Sequence, residues 1–404
     1  MKSRNGLVVS LHKKVGKSVE LFSGCGGLAL GLSFAGFEHE LLVERDKHAC
    51  ATLSHNKTNG DRLTENWTVQ SNDVRAVDWK SFAGSVTLVA GGPPCQPFSI
   101  GGKAAGNQDE RDMWPESVRS VREIGPTAFI FENVRGLLRP RFSSYVDWIL
   151  AYLSNPSVVM QPGETHADHM QRLLSVDGPS EYAVQLVDVN AADYGAPQKR
   201  KRVLFIGFRR DQFPEAPRFP RPTHSNERLM WDKWVSGEYW TRHGLQRPGD
   251  DKIPEIEMRI ASRLRESLIE PDELPWQTCR DAFKGLGEPG TRPDLSNHSP
   301  QPGARSYAGH TGSPIDEPAK ALKAGVHGVP GGENMLALEG GSVRYFSIRE
   351  AARLQGIPDG YEFPGSWTES MRQIGNAVPV HLSRFAGQWI ADQLRGVSTR
   401  RRAA

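Results

Sequence analysis

Strand-like and helix-like segments alternate from about Ser18 to Phe208, and this alternation limits the available architectures more than any other feature. "SVELF" is short and apolar. "GLALGLSFAGF" follows with helical spacing and a glycine near its end. "HELLVE" reads as a second strand, "KHACATLSHN" as a helix, "WTVQSND" as a third strand and "VTLVAG" as a fourth. A helix in "WPESVRSVREIG" and a fifth strand in "TAFIFEN" come next, then further strands in "EYAVQLVDV" and "RVLFIGF". Such a βαβα rhythm predicts an α/β, Rossmann-like fold, a doubly wound and mostly parallel sheet. Ligands of such sheets bind beyond the carboxyl ends of the strands.

From about Phe213 the texture changes. "FPEAPRFPRPTHSNERL" is rich in proline and polar residues, and Gly/Pro clusters such as "HGVPGGEN" recur with little periodicity. This stretch predicts a separate, smaller, loop-rich domain over residues 213–343. Helical periodicity returns in "SIREAARLQGI" and "PVHLSRFAGQWIADQL". The 404 residues allow two or three domains of about 100–200 residues each. No run approaches the ~18 apolar residues of a membrane span. The N-terminus lacks the pattern of a signal peptide, so a cytoplasmic setting is expected. Cys25, Cys50, Cys95 and Cys279 form no CxxC pair, so neither a metal site nor a disulfide framework is expected. Net charge is +3, but six basic residues and no acid occupy "KRKRVLFIGFRR", and "STRRRAA" adds three arginines. A polyanion is a plausible partner, although charge runs are more often solvated.

The ends of the first three strands share a chemical theme. "ELFSGCGGLALG" is strand, glycine turn and helix. Gly24, Gly26 and Gly27 allow a ligand to approach the backbone and the helix N-terminus. Glu44 ends the second strand, where a carboxylate can take both hydroxyls of a ribose. Asp73 ends the third, where it can accept from an adenine amino group. Together they describe a nucleoside site. Gly24-x-Gly26-x-x-Ala29 also fits a relaxed dinucleotide pattern, so NAD and S-adenosylmethionine both remain candidates.

"GGPPCQPFSIGG" places Cys95 at the mouth of the fourth strand, in a backbone restricted by Pro93 and Pro94. Glu132 closes the fifth strand in "FENV". Gln198, Arg200 and Arg202 lie in "QKRKR", ahead of another strand. A thiol, a carboxyl and guanidinium groups would converge on one edge. Nearby arginines favour the thiolate, which is a minor species at an ordinary thiol pKa of about 8.5. A hydride-transfer enzyme has no use for this set. Covalent attack on an electron-poor ring has.

With these stretches in hand, the chain resembles the cytosine-5-specific DNA methyltransferase family, in its prokaryotic or phage modification form. "ELFSGCGGLALG", "VERDKHA", "NDV", "GGPPCQPFSIGGK", "FENVRGLL", "YGAPQKRKR", "REAARLQGIPD" and "QIGNAV" occur in the family's order. The resemblance implies an S-adenosylmethionine-dependent methyltransferase domain that is discontinuous, residues 1–212 plus 344–404, with a target-recognition domain at 213–343. It implies Cys95 as the nucleophile toward carbon 6 of a flipped-out cytosine. Glu132 would hold N3 and the exocyclic amine, and Arg202 with Arg200 would contact the base oxygen, the thiolate or phosphate. It implies cofactor contacts from Glu20 near the methionine amine, Phe22 on adenine, and Ser23, Gly24, Gly26 and Gly27 along the methionine part. Glu44 would take the ribose, Asp73 and Val74 the adenine, and Pro94, Asn376 and Val378 would complete the pocket. Gln96, Ser99, Arg111 and Gln198 are the expected DNA contacts. The implied partner is double-stranded DNA, bound by a monomer associated with the nucleoid. A cognate restriction endonuclease is possible but not needed for activity, and no metal is expected. The tRNA-methylating branch carries a Cys-Phe-Thr tripeptide in the target region; here Cys279 is followed by Arg280.

Overall fold

A computed structural model describes residues 14–59, 62–94, 112–267, 269–307, 310–325 and 334–403. The first half runs β1 (Gly16–Leu21), α1 (Gly27–Ala35), β2 (Phe37–Glu44), α2 (Lys47–Thr58), β3 (Val69–Ser71), β4 (Leu88–Gly91), α3 (Trp114–Ile124) and β5 (Ala128–Val134). Then come α4 (Ser143–Ser154), α5 (His166–Leu174), β6 (Tyr182–Asn190), β7 (Gln198–Lys199) and β8 (Lys201–Arg209). Seven of these strands form one sheet in the order β3-β2-β1-β4-β5-β8-β6. The strands from β3 to β5 are parallel. β4 and β5 are near-continuous apolar runs because helices cover both faces.

The far edge departs from the expected parallel pattern. β8 runs antiparallel to both β5 and β6. Its connection from β6 spans only residues 191–200, shorter than the dozen or so residues a parallel crossover needs. The sheet is therefore mixed. The third strand is also shorter than "WTVQSND" suggests: it ends at Ser71, and Asp73 instead caps a 3₁₀ turn.

The second half runs β9 (His224–Ser225), α6 (Asn226–Trp234), α7 (Glu238–Arg242), α8 (Glu255–Ser267), β10 (Leu274–Pro275), α9 (Cys279–Phe283), β11 (Ala319–Lys320) and β12 (Met335–Ala337). It closes with β13 (Val343–Tyr345), α10 (Ile348–Leu354), α11 (Trp367–Asn376) and α12 (Val380–Ala403). Residues 226–267 are thus largely helical rather than loop-rich. Leu229, Trp234, Tyr239, Trp240, Ala261 and Leu264 give them an apolar cluster of their own. Cys279, Ala319, Leu322 and Leu336, by contrast, share a cluster with Ala29 of α1, Ala351 of α10 and Met371 of α11. β11 also pairs in parallel with β7.

The last helix returns to the first. α12 packs on α1 so closely that a Cβ on Gly31 would lie 2.0 Å from Ser383 Oγ. The Ser383 hydroxyl donates to the Gly27 carbonyl at 3.0 Å. Within that packing, the segment before α12 lies over the β1–α1 turn, where a Cβ on Gly27 would meet the Val378 carbonyl at 2.4 Å. Among the described residues no helix is long and apolar enough to cross a membrane.

Candidate active site

A cavity of about 940 Å³ opens at the carboxyl ends of β1, β2, β4 and β5. Glu20, Phe22, Ser23, Gly24, Gly27, Glu44, Asp73, Val74 and Pro94 line it, and Asn376 and Val378 line it from the returning segment. Gly26 does not. It caps α1 at φ 81° and packs beneath the turn against Leu53 and Trp67. The turn is forced into the left-handed region at Phe22 (φ 56°) and Gly24 (φ 55°). That conformation is strained for phenylalanine and easy for glycine, and such strain clusters at ligand sites.

Glu44 holds this turn together. Its Oε2 accepts from the Gly24 N–H at 2.8 Å. Its Oε1 accepts from the N–H groups of Arg45 at 2.9 Å and Asp46 at 2.8 Å. Asp73 is engaged differently. Its carboxylate accepts from Arg75 Nε at 2.9 Å and Nη2 at 2.8 Å, and from the Arg75 N–H at 3.0 Å. The Arg75 bonds hold the Asp73 carboxyl far below the usual carboxylate range. Glu20 is buried, and its Oε2 has no hydrogen-bond partner. Burial pushes its carboxyl well above the ordinary range, a bond from the Ala29 N–H opposes this, and the charge of Glu44 adds to the rise.

A nucleoside carrying an amino-acid arm fits these groups. Glu44 presents an oriented carboxylate at a strand end. Glu20 offers an unpartnered acceptor. Gly26 makes no side-chain cap to α1, and no acid occupies the first turn of that helix. Apart from the Ala29 N–H, which the Glu20 carboxyl engages, the positive helix N-terminus remains available to a carboxylate.

The opposite wall carries Glu132 and Arg202. Arg202 Nε lies 2.6 Å from Glu132 Oε1, an ion pair whose alignment leaves that oxygen without a hydrogen bond. The β5–β8 register sets Arg202 opposite Val134, two positions past Glu132. Asn133 Nδ2 donates to the Pro93 carbonyl at 3.1 Å, fixing the chain just before Pro94. Cys95, Gln96, Ser99 and Arg111 lie outside the described residues. The described cysteines, Cys25, Cys50 and Cys279, are buried free thiols, and burial pushes the Cys25 thiol up to about 12. Such thiols are unreactive.

The structure places the residues of "QKRKR" in different surroundings. Gln198 was expected on DNA, but it is fully buried. Its amide donates to the Leu354 carbonyl at 2.8 Å and to Gln355 Oε1 at 2.9 Å. Arg200 was expected to act on substrate beside Arg202. It lines the cavity, but it is 1% exposed. Its Nη1 donates to the Leu322 carbonyl and its Nη2 to the Gly375 carbonyl, both at 2.7 Å. Two of its three nitrogens are committed to backbone, so it ties the chain just after β11 and the end of α11 to the sheet, while its Nε has no hydrogen-bond partner. Burial and the charge of Arg202 lower its pKa, with Glu132 opposing.

Sequence reasoning missed several lining residues: Lys47, Asn72, Met113, Arg372 and Gln373. Arg372 pairs with Asp46 at 3.0 Å and Glu369 at 2.6 Å, tying α11 to the start of α2. The signal was available, since "QIGNAV" begins at Gln373.

Comparison with known proteins adds an independent line. Residues 16–391 match the family profile described as C-5 cytosine-specific DNA methylase. A Type II methyltransferase, M.PspPI of Psychrobacter sp. strain TA137, is 32% identical over 383 residues, covering 93% of this chain and 79% of that protein. M.NgoMIV of Neisseria gonorrhoeae, also a Type II methyltransferase, is 30% identical over 382 residues, 94% of this chain and 98% of its own. The crystal structure of the S. pombe Dnmt2 methyltransferase superposes with a TM-score of 0.51 at 14% identity, covering 94% of this chain and 99% of that one, a likeness of fold.

Proposed function

The chain belongs to the C-5 cytosine-specific DNA methylase family, and from that premise we propose how its cavity carries out methyl transfer to cytosine in DNA. S-adenosylmethionine is the cofactor we assign. When bound, it supplies an electrophilic methyl group on a sulfonium. Phe22 and Val74 would hold the adenine, Asp73 its amino group and Glu44 the ribose hydroxyls. The turn from Ser23 to Gly27 would hold the methionine part, with Glu20 at the amine.

Carbon 5 of cytosine is a poor nucleophile. Cys95 thiolate would bond to carbon 6 and push electron density onto carbon 5, which would then take the methyl as the methyl–sulfur bond of the sulfonium breaks and S-adenosylhomocysteine leaves. Loss of the carbon 5 proton and cleavage of the sulfur–carbon 6 bond would restore the aromatic ring and the free thiol. Glu132 would hold the N3 edge, and Arg202 would stabilise the charge that develops on the ring. The base lies out of reach inside a duplex, so it must be flipped out, as methyltransferases do. The observation that carries this reading is the Glu132–Arg202 pair, set on the same cavity as the nucleoside residues and Pro94.

The relatives' role suggests a Type II modification enzyme, working on double-stranded DNA in the cytoplasm. Residues 213–343 would supply target recognition, with the exposed Lys199 and Lys201 among the phosphate contacts. DNA containing 5-fluorocytosine should trap a covalent adduct through Cys95, because fluorine cannot leave as a proton does. Cys95→Ser should give neither adduct nor bisulfite-detectable methylation. Methylation by Cys95→Ser at the wild-type rate would end the proposal.

A further inference from the structure

We propose that Gln373 is a positioning residue that, together with Glu20, selects a primary ammonium group in the cavity: the amino group at the end of the cofactor's methionine arm. The proposal rests on the S-adenosylmethionine reading above. Gln373 lies near the end of α11 and is 4% exposed; Glu20 is in β1 and is 1% exposed. Both line the cavity. Gln373 Oε1 and Glu20 Oε2 each lack a hydrogen-bond partner. Buried polar atoms left in this state are rare and ask for an explanation.

With Glu20 ionised, both orphaned atoms are acceptors, so the missing partner is a donor. The other charge acting on Glu20 among the described residues is that of Glu44, a second carboxylate, so the missing donor is also a cation. An ammonium group supplies three donors and one positive charge. The N-terminus of α1, to which Gly26 adds no side-chain cap, lies in the adjoining turn and suits the carboxylate of the same amino acid. Acceptors for the ammonium and donors for the carboxylate would then grip opposite ends of one zwitterion.

The backbone of Gln373 is fixed independently of its side chain. Its carbonyl accepts from Cys25 Sγ at 3.6 Å and from the Ala377 N–H at 3.0 Å. The Tyr361 hydroxyl in turn donates to the Cys25 carbonyl at 2.8 Å. Changing the side chain should therefore leave the helix in place.

The test is calorimetric titration of the full chain with two ligands. S-adenosylhomocysteine carries the amino-acid arm; 5′-methylthioadenosine keeps the nucleoside and sulfur without it. Gln373→Met should weaken S-adenosylhomocysteine binding about tenfold, the loss of one charge-assisted hydrogen bond, and leave 5′-methylthioadenosine unchanged. Gln373→Glu should restore or tighten S-adenosylhomocysteine binding. Equal weakening of both ligands by Gln373→Met would overturn the proposal, as would weaker S-adenosylhomocysteine binding by Gln373→Glu. Should Gln373→Met fail to fold, Gln373→Glu decides alone. Failure of the wild-type chain to bind either ligand would instead refute the cofactor reading.

Discussion

The two walls of the cavity translate sequence into position in different ways. On the nucleoside wall, Glu20, Glu44 and Asp73 stand near or just beyond strand ends, and all three line the cavity. On the basic wall, residues 198–202 lie in extended chain, where successive side chains point to opposite faces. Gln198 and Arg200 are buried, Lys199 and Lys201 are exposed, and Arg202 reaches Glu132. An acid that closes a parallel strand enters the crevice because the crevice is where the strand ends. A residue inside a strand faces the crevice in only one of two phases. Gln198, Arg200 and Arg202 share one phase and Lys199 and Lys201 the other, so alternation separates the enclosed side of this basic pentapeptide from its two solvent-facing lysines.

The sharpest way to break this comparison is to remove the two arginines separately. Arg202→Met should lower kcat by about 10²–10³, the usual effect of deleting a donor that stabilises developing charge. Its thermal midpoint should stay near the wild type. Arg200→Met strips buried donors from the Leu322 and Gly375 carbonyls, and each orphaned group costs about 1–3 kcal/mol. Its main effect should be a lowered midpoint. Arg200→Lys should not recover it, because an ammonium lacks the fork that spans both carbonyls. Lys199→Ala, which breaks only the half-exposed pair with Glu317, should cost about 0–1 kcal/mol. If Arg200→Met stays fully stable yet loses turnover, Arg200 belongs with Arg202 and the division of the basic wall is wrong.

The nucleoside wall can be divided in the same way, with smaller effects. Glu44→Ala should weaken S-adenosylhomocysteine binding by about 1–3 kcal/mol. It removes a ligand contact and also frees the N–H groups of Gly24, Arg45 and Asp46. Asp73→Ala should fall at the lower end of that range. Arg75 already engages both Asp73 oxygens, so less of the carboxylate is left for a ligand. Calorimetry on both variants measures the order, and a larger loss for Asp73→Ala reverses it.

These differences also mark what the sequence could show. The order of strand and helix from β1 to β5 was legible because each strand is an apolar run and each turn carries glycine or an acid. The direction of β8 was overlooked, although the short link from β6 allows only an antiparallel return. Helices α6 and α8 were hidden for another reason. Their facing side chains include charged residues that are buried: Lys233 Nζ lies 2.7 Å from Glu257 Oε2, and Trp234 Nε1 donates to the same oxygen. Where an ion pair occupies the core side of a helix, the apolar period that announces the helix is interrupted. That Glu44 and Asp73 stand on one cavity edge was legible, as was the approach of Glu132 and Arg202 to each other. The burial of Gln198 and Arg200 was not, because the groups that enclose them, at Leu354, Gln355, Leu322 and Gly375, come from distant parts of the chain.

The smallest effect separates stability from ligand binding at Glu20. Its carboxyl titrates above the ordinary range in the folded chain, because burial disfavours its charge. Below the usual carboxylate pKa both the folded and the unfolded chain hold the proton, and the burial costs nothing in linkage. As pH rises past that value, the unfolded chain releases the proton while the folded chain retains it. Stability then falls until the folded carboxyl ionises as well. Glu20→Gln removes this titration. It should therefore melt a few degrees above the wild type at neutral pH, with the difference vanishing toward pH 4. Saturating S-adenosylhomocysteine should reverse the order, because an ammonium compensates the carboxylate and not the amide. Thermal denaturation at two pH values, with and without the ligand, reads all of this. A Glu20→Gln variant that is less stable than wild type at neutral pH without ligand would mean that the bond from the Ala29 N–H to the carboxylate outweighs the cost of burying it. The nucleoside wall would then be braced from within, as the basic wall is by Arg200.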